Sequence, residues 1–266
     1  MPVYWFALLN IHVDIFKAIL VFIVLHFLVY PASNGYNSYC DKDEKSIGGL
    51  KHPPKVSVEL WYLVIVFDIA SIGTAAFIDI RFALMIFIYL MVSKAYSWHK
   101  IRLKKFPVSG AITVTLFQGL FTYLAVQAGA GNLNIPIGEN LVFGMVSTLF
   151  LLGSYPVTQI YQHEEDRIHG DRTLSMLLGI NGTFVFASLI FFIASLILVA
   201  LFYFEKQWIS TLIYLLAILP VNIYFLRWYY EFRKGKEVIS FDRTMTLNML
   251  SSVTLSAAFI LMLILR

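Results

Sequence analysis

Asn37 and Asp41 stand four residues apart, and Gln162 and Asp166 repeat that spacing later in the chain. On a helix, residues four apart share a face, so each pair offers an amide oxygen and a carboxylate to one point. Asn34 and Gln159 lie three residues earlier on nearly the same face. Both pairs belong to a longer repeat. Tyr30-Pro31-Ala32-Ser33-Asn34-Gly35-Tyr36-Asn37-Ser38-Tyr39-Cys40-Asp41 aligns with Tyr155-Pro156-Val157-Thr158-Gln159-Ile160-Tyr161-Gln162-His163-Glu164-Glu165-Asp166. Tyr, Pro, Tyr and Asp recur in place, Ser33 meets Thr158, and both amides are kept as amides. Such oxygen donors suit Mg²⁺, which takes one or two carboxylates and completes its shell with water and phosphate. Asp43, Glu44, Glu164 and Glu165 add carboxylates. The candidate metal ligands are therefore Asn37, Asp41, Asp43, Glu44, Gln162, Glu165 and Asp166. Lys42, Lys45, Lys51, Lys100, Arg102, Lys104, Arg167 and Arg172 share the same mouth. Carboxylates alone would indicate cations; carboxylates ringed by Lys and Arg indicate a metal-bridged diphosphate.

The elements that must carry these residues are membrane helices. Hydrophobic residues make up 59% of the chain and charged residues 14%, with mean hydropathy +0.76. A soluble domain carries about 25% charged residues. Apolar runs long enough to cross a bilayer predict spans at 13–33, 58–78, 80–97, 108–129, 138–160, 175–204, 207–230 and 244–265. No alternating ten-residue strand pattern is present, so the expectation is an all-α polytopic bundle and not a β-barrel. Residues 1–9 are apolar but too short to cross. They read as the tail of a first helix that begins upstream, or as a short re-entrant start, with the former expected. No basic residue precedes the run, as a cleaved signal peptide would require.

Of the 20 Lys and Arg, all but Lys17, Arg81, Lys206 and Arg266 fall at one end of the predicted spans. The positive-inside rule places that end, and both copies of the repeat, in the cytoplasm. The single cysteine, Cys40, excludes an internal disulfide. The net charge of +4 follows from topology, so no nucleic-acid partner is expected. The chain reads as one domain over 1–266. Its halves, about 1–130 and 131–266, form a parallel repeat with an axis near the membrane normal.

In motif order and spacing the chain resembles the UbiA superfamily of intramembrane prenyltransferases. Asn37-x-x-x-Asp41 matches that family's first acidic motif, and Tyr96-x-x-x-Lys100 its loop element between later helices. Asp166-x-x-x-Gly170, followed by Arg172-Thr173-Leu174 and Leu178-Gly179, matches its second motif. The resemblance covers nearly the whole chain. It implies a nine-helix arrangement whose first helix is here short or truncated. It also implies a Mg²⁺-dependent enzyme of the bacterial inner membrane, with loops on the cytoplasmic side. That enzyme would move a prenyl group from prenyl diphosphate to a lipophilic acceptor, aromatic or quinone-precursor, amid membrane lipid. Asp41, Asp166 and Lys100 are the expected catalytic residues. Lys45, Lys51, Tyr96, Lys100, Arg102 and Arg172 are the expected diphosphate contacts. The chain departs from the pattern at Lys45, Gln159 and Gln162, where the family carries Asp.

Other polar residues have plainer readings. Lys104 and Lys105 read as topology-setting or lipid-contacting charges. Asp68, inside a span, must face a partner or a cavity; it reads as an acceptor-side acid/base or, the simpler expectation, as a hydrogen-bond partner to a neighbouring helix. His26 reads as a packed, hydrogen-bonded histidine, and His163 as a structural group, a metal ligand or a base. Asn222 and Asn248 read as interhelical hydrogen-bond groups. Gly48-Gly49 gives the acidic loop freedom to move. Tyr30 and Tyr155 fit both an interfacial belt and a pocket wall. Two rival functions remain: a terpene cyclase on the same fold, and a transporter. Transport requires a polar path to the far side, where no polar cluster is expected near 79–81, 130–137 or 205–206.

Overall fold

The structure is a computed structural model, which describes residues 2–42, 46, 49–168 and 170–266. Eight helices among them are long and apolar enough to span a bilayer. They are α2 (Ile15–Asp41), α3 (Val58–Ile78), α4 (Ile80–Ser97), α5 (Pro107–Ala130), α6 (Ile137–Gln159), α8 (Leu174–Phe204), α9 (Trp208–Arg233) and α10 (Phe241–Ile264). Two short helices complete the set, α1 (Val3–Leu8) and α7 (His163–Ile168). The predicted spans coincide with these eight because hydrocarbon forces every backbone group into an internal hydrogen bond, which a helix alone supplies. Charge defines where the helices stop. Asp79 sits between α3 and α4 and accepts from the backbone N–H of Arg81 and Phe82, so one residue turns the chain. Thr173 and Ser240 cap α8 and α10 in the same way.

Lipid is as apolar as a leucine side chain, so close packing and hydrogen bonds, more than apolar burial, hold such helices together. Outward residues such as Phe27, Phe77 and Phe192 are exposed to that lipid. Inward, α6 packs on α5 and α8, α9 on α10, and α3 on α2 and α4. The α5–α6 contact is the tightest kind: a Cβ placed on Gly119 would lie 2.6 Å from the Thr148 Cα. The chain of α5 widens into a π turn over Phe117–Phe121 at this point. The Leu120 N–H finds the Thr148 hydroxyl at 2.9 Å. A second π turn, Val24–Val29, lies just before Pro31 in α2, where the proline ring would crowd the Phe27 carbonyl of a regular helix. Both widened turns face the same interior.

Two three-residue strands were not expected. β1 (Ile11–Val13) pairs antiparallel with β2 (Gly131–Leu133), with His12 opposite Asn132. Each strand leads into a span, α2 or α6, so they tie the entrances of those spans together. Residues 3–8, too short to cross, form α1, whose Phe6 and Ala7 are fully buried in the main core. Tyr4 donates to the Ala18 carbonyl at 2.7 Å and Gln127 to the Ala7 carbonyl at 3.1 Å. The alternation of helices sorts the loops. Residues 42, 46, 49–57, 98–106, 160–168, 170–173 and 234–240 lie at one end, the mouth; Asp79, the strands and residues 205–207 lie at the other.

The far end is more polar than its sequence indicated. Asn10, Tyr123, Gln127 and Asn140 are buried there and bond one another at 2.7–3.0 Å. Arg266 donates to the Leu9 carbonyl at 2.6 Å, and Gln207 donates to Glu205. Burial, then a hydrogen bond from Glu139, pushes the Glu205 carboxyl up to about 7. Asn10, Tyr123, Gln127 and Asn140 lie outside 79–81, 130–137 and 205–206; they come from the turn after α1, from α5 and from α6, and no local run marks them. The four buried side chains satisfy each other.

Candidate active site

The last turns of α2 carry Ser33, Asn34, Asn37 and Asp41 on the inward face, at the helical spacing that the sequence predicts. Asn37 Oδ1 accepts from the Ser97 hydroxyl at 2.6 Å and from Lys104 Nζ at 3.1 Å. Asp41 accepts from Lys104 through one oxygen and from Arg102 at 3.2 Å through the other. Arg102 turns its Nε and Nη2 to Asp171, at 2.8 Å each. Asp41 and Asp171 are nearly enclosed, with side chains 7% and 8% exposed. Arg102 has φ +41°, a left-handed conformation unfavourable for a side chain of this size. The bonds to two carboxylates hold it there. That reversal, followed by the 3₁₀ turn Leu103–Lys105, brings Lys104 inward.

Opposite this cluster lies α7. Asp166 is half-buried, and its buried Oδ2 has no partner among the described residues. Burial first, then the charge of Asp171, pushes its carboxyl up to about 7; Glu165 and Asp41 add to the effect. The backbone N–H of Asp171 closes the loop onto the Asp166 carbonyl at 2.9 Å. Gln162 Nε2 donates to the Ser46 carbonyl at 3.2 Å, which ties α7 to the loop after α2. Gln159 Oε1 accepts from the Ser175 N–H at 3.3 Å. His163 Nε2 meets the Ser175 hydroxyl at 2.8 Å, and that hydroxyl meets Thr183 at 3.0 Å. Gln159 and His163 thus fix the start of α8, where Gly179 at φ +67° breaks the helix in a conformation that favours glycine.

Below the mouth is a cavity of about 630 Å³. Asn37, Tyr96, Ser97, Tyr155 and Thr158 line its upper part, and Tyr30, Tyr89, Phe117 and Gln118 its walls. Tyr96 and Tyr155, from α4 and α6, bond hydroxyl to hydroxyl at 2.9 Å. Tyr30 and Tyr155 therefore act as pocket wall.

Not every predicted contact joins this cluster. Lys100 is exposed, its ammonium 5.5 Å from the Trp98 ring centroid. Lys51 pairs with Asp242 at 2.7 Å on the exposed rim, and Arg172 is exposed. Asp43, Glu44 and Lys45 lie outside the described residues. Lys104, read as a topology charge, is instead bound to Asn37 and Asp41. Asp171 and Lys94 carry roles that sequence reading missed. Lys94 of α4 pairs with Asp68 of α3 at 2.5 Å and lies 5.3 Å over the Tyr36 ring, so the intramembrane carboxylate has an ionic partner. His26 Nδ1 donates to the Phe22 carbonyl, 3.0 Å away, as a packed histidine would. Asn222 is exposed. Neither it nor Asn248 makes a side-chain hydrogen bond among the described residues.

The model of the UbiA prenyltransferase family matches residues 1–251. The chain belongs to that family. This UbiA member is therefore a prenyltransferase embedded in the membrane. Its fold is similar to that of a UbiA homolog from Aeropyrum pernix K1, at 20% identity and TM-score 0.69, covering 98% of this chain and 95% of that one. A UbiA homolog from Archaeoglobus fulgidus, solved with GPP and Mg²⁺, is 19% identical with TM-score 0.69, covering 98% and 94%. A digeranylgeranylglyceryl phosphate synthase is 20% identical with TM-score 0.64, covering 98% and 91%. No curated protein sequence matches the chain.

Proposed function

We propose that this UbiA member transfers a prenyl group from a prenyl diphosphate to a lipophilic acceptor, aromatic or quinone-precursor, with Mg²⁺ at a mouth facing the cytoplasm. The observation that carries the reading is the placement of Lys104: an ammonium sits between Asn37 and Asp41, so this amide–carboxylate pair already accepts a cation. The orphaned, buried Asp166 oxygen offers a second point of negative charge across the mouth. Among the described residues no group of three or more His, Cys, Asp or Glu forms a ready-made cage. Mg²⁺ bound with phosphate needs none, because one or two carboxylates suffice. Asn37, Asp41 and Asp166 would hold it, with Gln162 and Glu165 beside them. Bound there, Mg²⁺ would neutralise charge on the diphosphate as it leaves.

The chain's own residues supply the remainder. Arg102 and Lys104 can exchange their carboxylate partners for diphosphate oxygens and stabilise the leaving group. The Tyr96–Tyr155 pair stands between mouth and cavity. Tyr30, Tyr89 and Phe117 keep water from the allylic cation and present aromatic faces to it, each worth up to about 2 kcal/mol when desolvated. The antiparallel β1–β2 pair joins equivalent entrances of the two halves, which supports the parallel repeat. Isotope-labelled prenyl diphosphates of several lengths, fed to membranes containing the protein, test the reading by mass spectrometry of lipid products. A prenylated aromatic lipid is expected. Cyclised hydrocarbon with no acceptor would replace this reading with the cyclase.

A further inference from the structure

The inner end of the cavity is lined by α1. Pro2, Val3, Tyr4 and Trp5 line it there, with His26 and Tyr30 beside them. From Asn37 down to His26 the α2 helix descends eleven residues, about 16 Å at the helical rise. That depth is the reach of an extended farnesyl chain and falls short of geranylgeranyl.

This floor is fixed in place. Tyr4 and Gln127 anchor α1 through backbone carbonyls of Ala18 and Ala7, and Asn10 just after α1 bonds the Tyr123 hydroxyl at 2.7 Å. The rings above are locked together. Tyr4 lies edge-on to Trp5 at 4.9 Å and to His26 at 5.7 Å, and Phe22 stacks on His26 at 4.1 Å. Tyr4 is buried, whereas Trp5 keeps part of its surface in the cavity.

We infer that Trp5, held on the α1 floor, is the residue that limits the length of the prenyl tail this enzyme accepts. The inference rests on the prenyl-diphosphate reading above. A tail that meets a floor of locked rings cannot lengthen without displacing them, because close-packed interiors resist added methylenes. Removal of the indole opens space in line with the tail. Tyr4 and His26 remain to hold α1, so the change is local.

The test uses purified full-length protein with Mg²⁺ and measures Kd for inorganic diphosphate and for geranyl, farnesyl and geranylgeranyl diphosphates. No acceptor is needed. Wild type is expected to bind farnesyl most tightly and geranylgeranyl more weakly by about tenfold, the size of effect that a few misfitted methylenes produce in a pocket. Trp5→Ala is expected to abolish that discrimination, while its Kd for inorganic diphosphate stays at the wild-type value. Trp5→Phe, which keeps a ring on the floor, is expected to retain most of it and guards against loss of fold. An unchanged length profile in a folded Trp5→Ala protein overturns the inference, as does wild-type binding of geranylgeranyl equal to farnesyl. If no prenyl diphosphate binds more tightly than inorganic diphosphate in any variant, it is the prenyl-donor reading that fails.

Discussion

The two ends of this bundle are both polar, but they use opposite chemistry. At the far end, Asn10, Tyr123, Gln127 and Asn140 are neutral, buried and mutually satisfied. At the mouth, Asp41, Asp171, Arg102 and Lys104 are charged, and Asp166 keeps an oxygen without a partner. A closed neutral network has one best arrangement and resists change. An ionic cluster can trade its internal partners for a charged ligand, because each ion is compensated equally well by diphosphate or metal. The difference assigns rigidity to one end and chemistry to the other, and it can be broken at either.

The largest effects belong at the mouth. Asp41→Asn and Asp166→Asn should each slow diphosphate release by at least about 100-fold, the scale of losing one preorganised charge-stabilising group. Steady-state assay of phosphate after pyrophosphatase treatment reads this. At the far end, Asn140→Leu should destabilise the fold by about 1–3 kcal/mol, because Gln127 and Tyr123 lose buried partners. Turnover per folded molecule should stay at the wild-type rate, since Asn140 lies away from the cavity. Chemical denaturation in detergent, with activity normalised to folded protein, separates the two quantities. A loss of turnover without a loss of stability would erase the distinction between the ends.

The mouth also contains its own contrast. Lys104→Ala should weaken binding of inorganic diphosphate about tenfold, the usual worth of one charge-assisted hydrogen bond. Lys100→Ala should change it little, since that ammonium is exposed over Trp98. Equilibrium binding by calorimetry compares them directly, and the reverse order would restore Lys100 as the diphosphate contact.

The smallest effect is a pH dependence. Burial above all pushes the Asp166 carboxyl up to about 7 in the fold, against an ordinary value of 3.8. The folded state then binds more protons than the unfolded state between those values, so this group's stabilisation is full below about 3.8 and lost as pH rises through about 7. Metal-free protein should melt at a higher temperature at pH 5.5 than at pH 8. Asp166→Asn should reduce that difference.

The spans were legible because hydrophobic length alone specifies them, and the acidic motifs were legible because helical spacing puts Asn37 with Asp41 on one face. The basic residues were harder. The family resemblance singled out Lys100 through its Tyr96-x-x-x-Lys100 element, but the left-handed Arg102 reverses the loop and delivers Lys104 instead. A positive φ at a non-glycine residue leaves no mark in a sequence. Asp171 was visible between Gly170 and Arg172, yet its role depends on Arg102 reaching across from another loop. The far-end network drew Asn10 from after α1, Tyr123 and Gln127 from α5 and Asn140 from α6, so no local run announced it.

The central claim is that the α2 and α7 half-sites act on diphosphate as one unit. A double-mutant cycle on diphosphate release, with wild type, Asp41→Asn, Asp166→Asn and the double variant at saturating Mg²⁺, tests it most directly. Groups that act together are strongly non-additive. The double variant should therefore be scarcely slower than either single one. Losses that multiply independently, or turnover that survives both substitutions, would contradict the shared site.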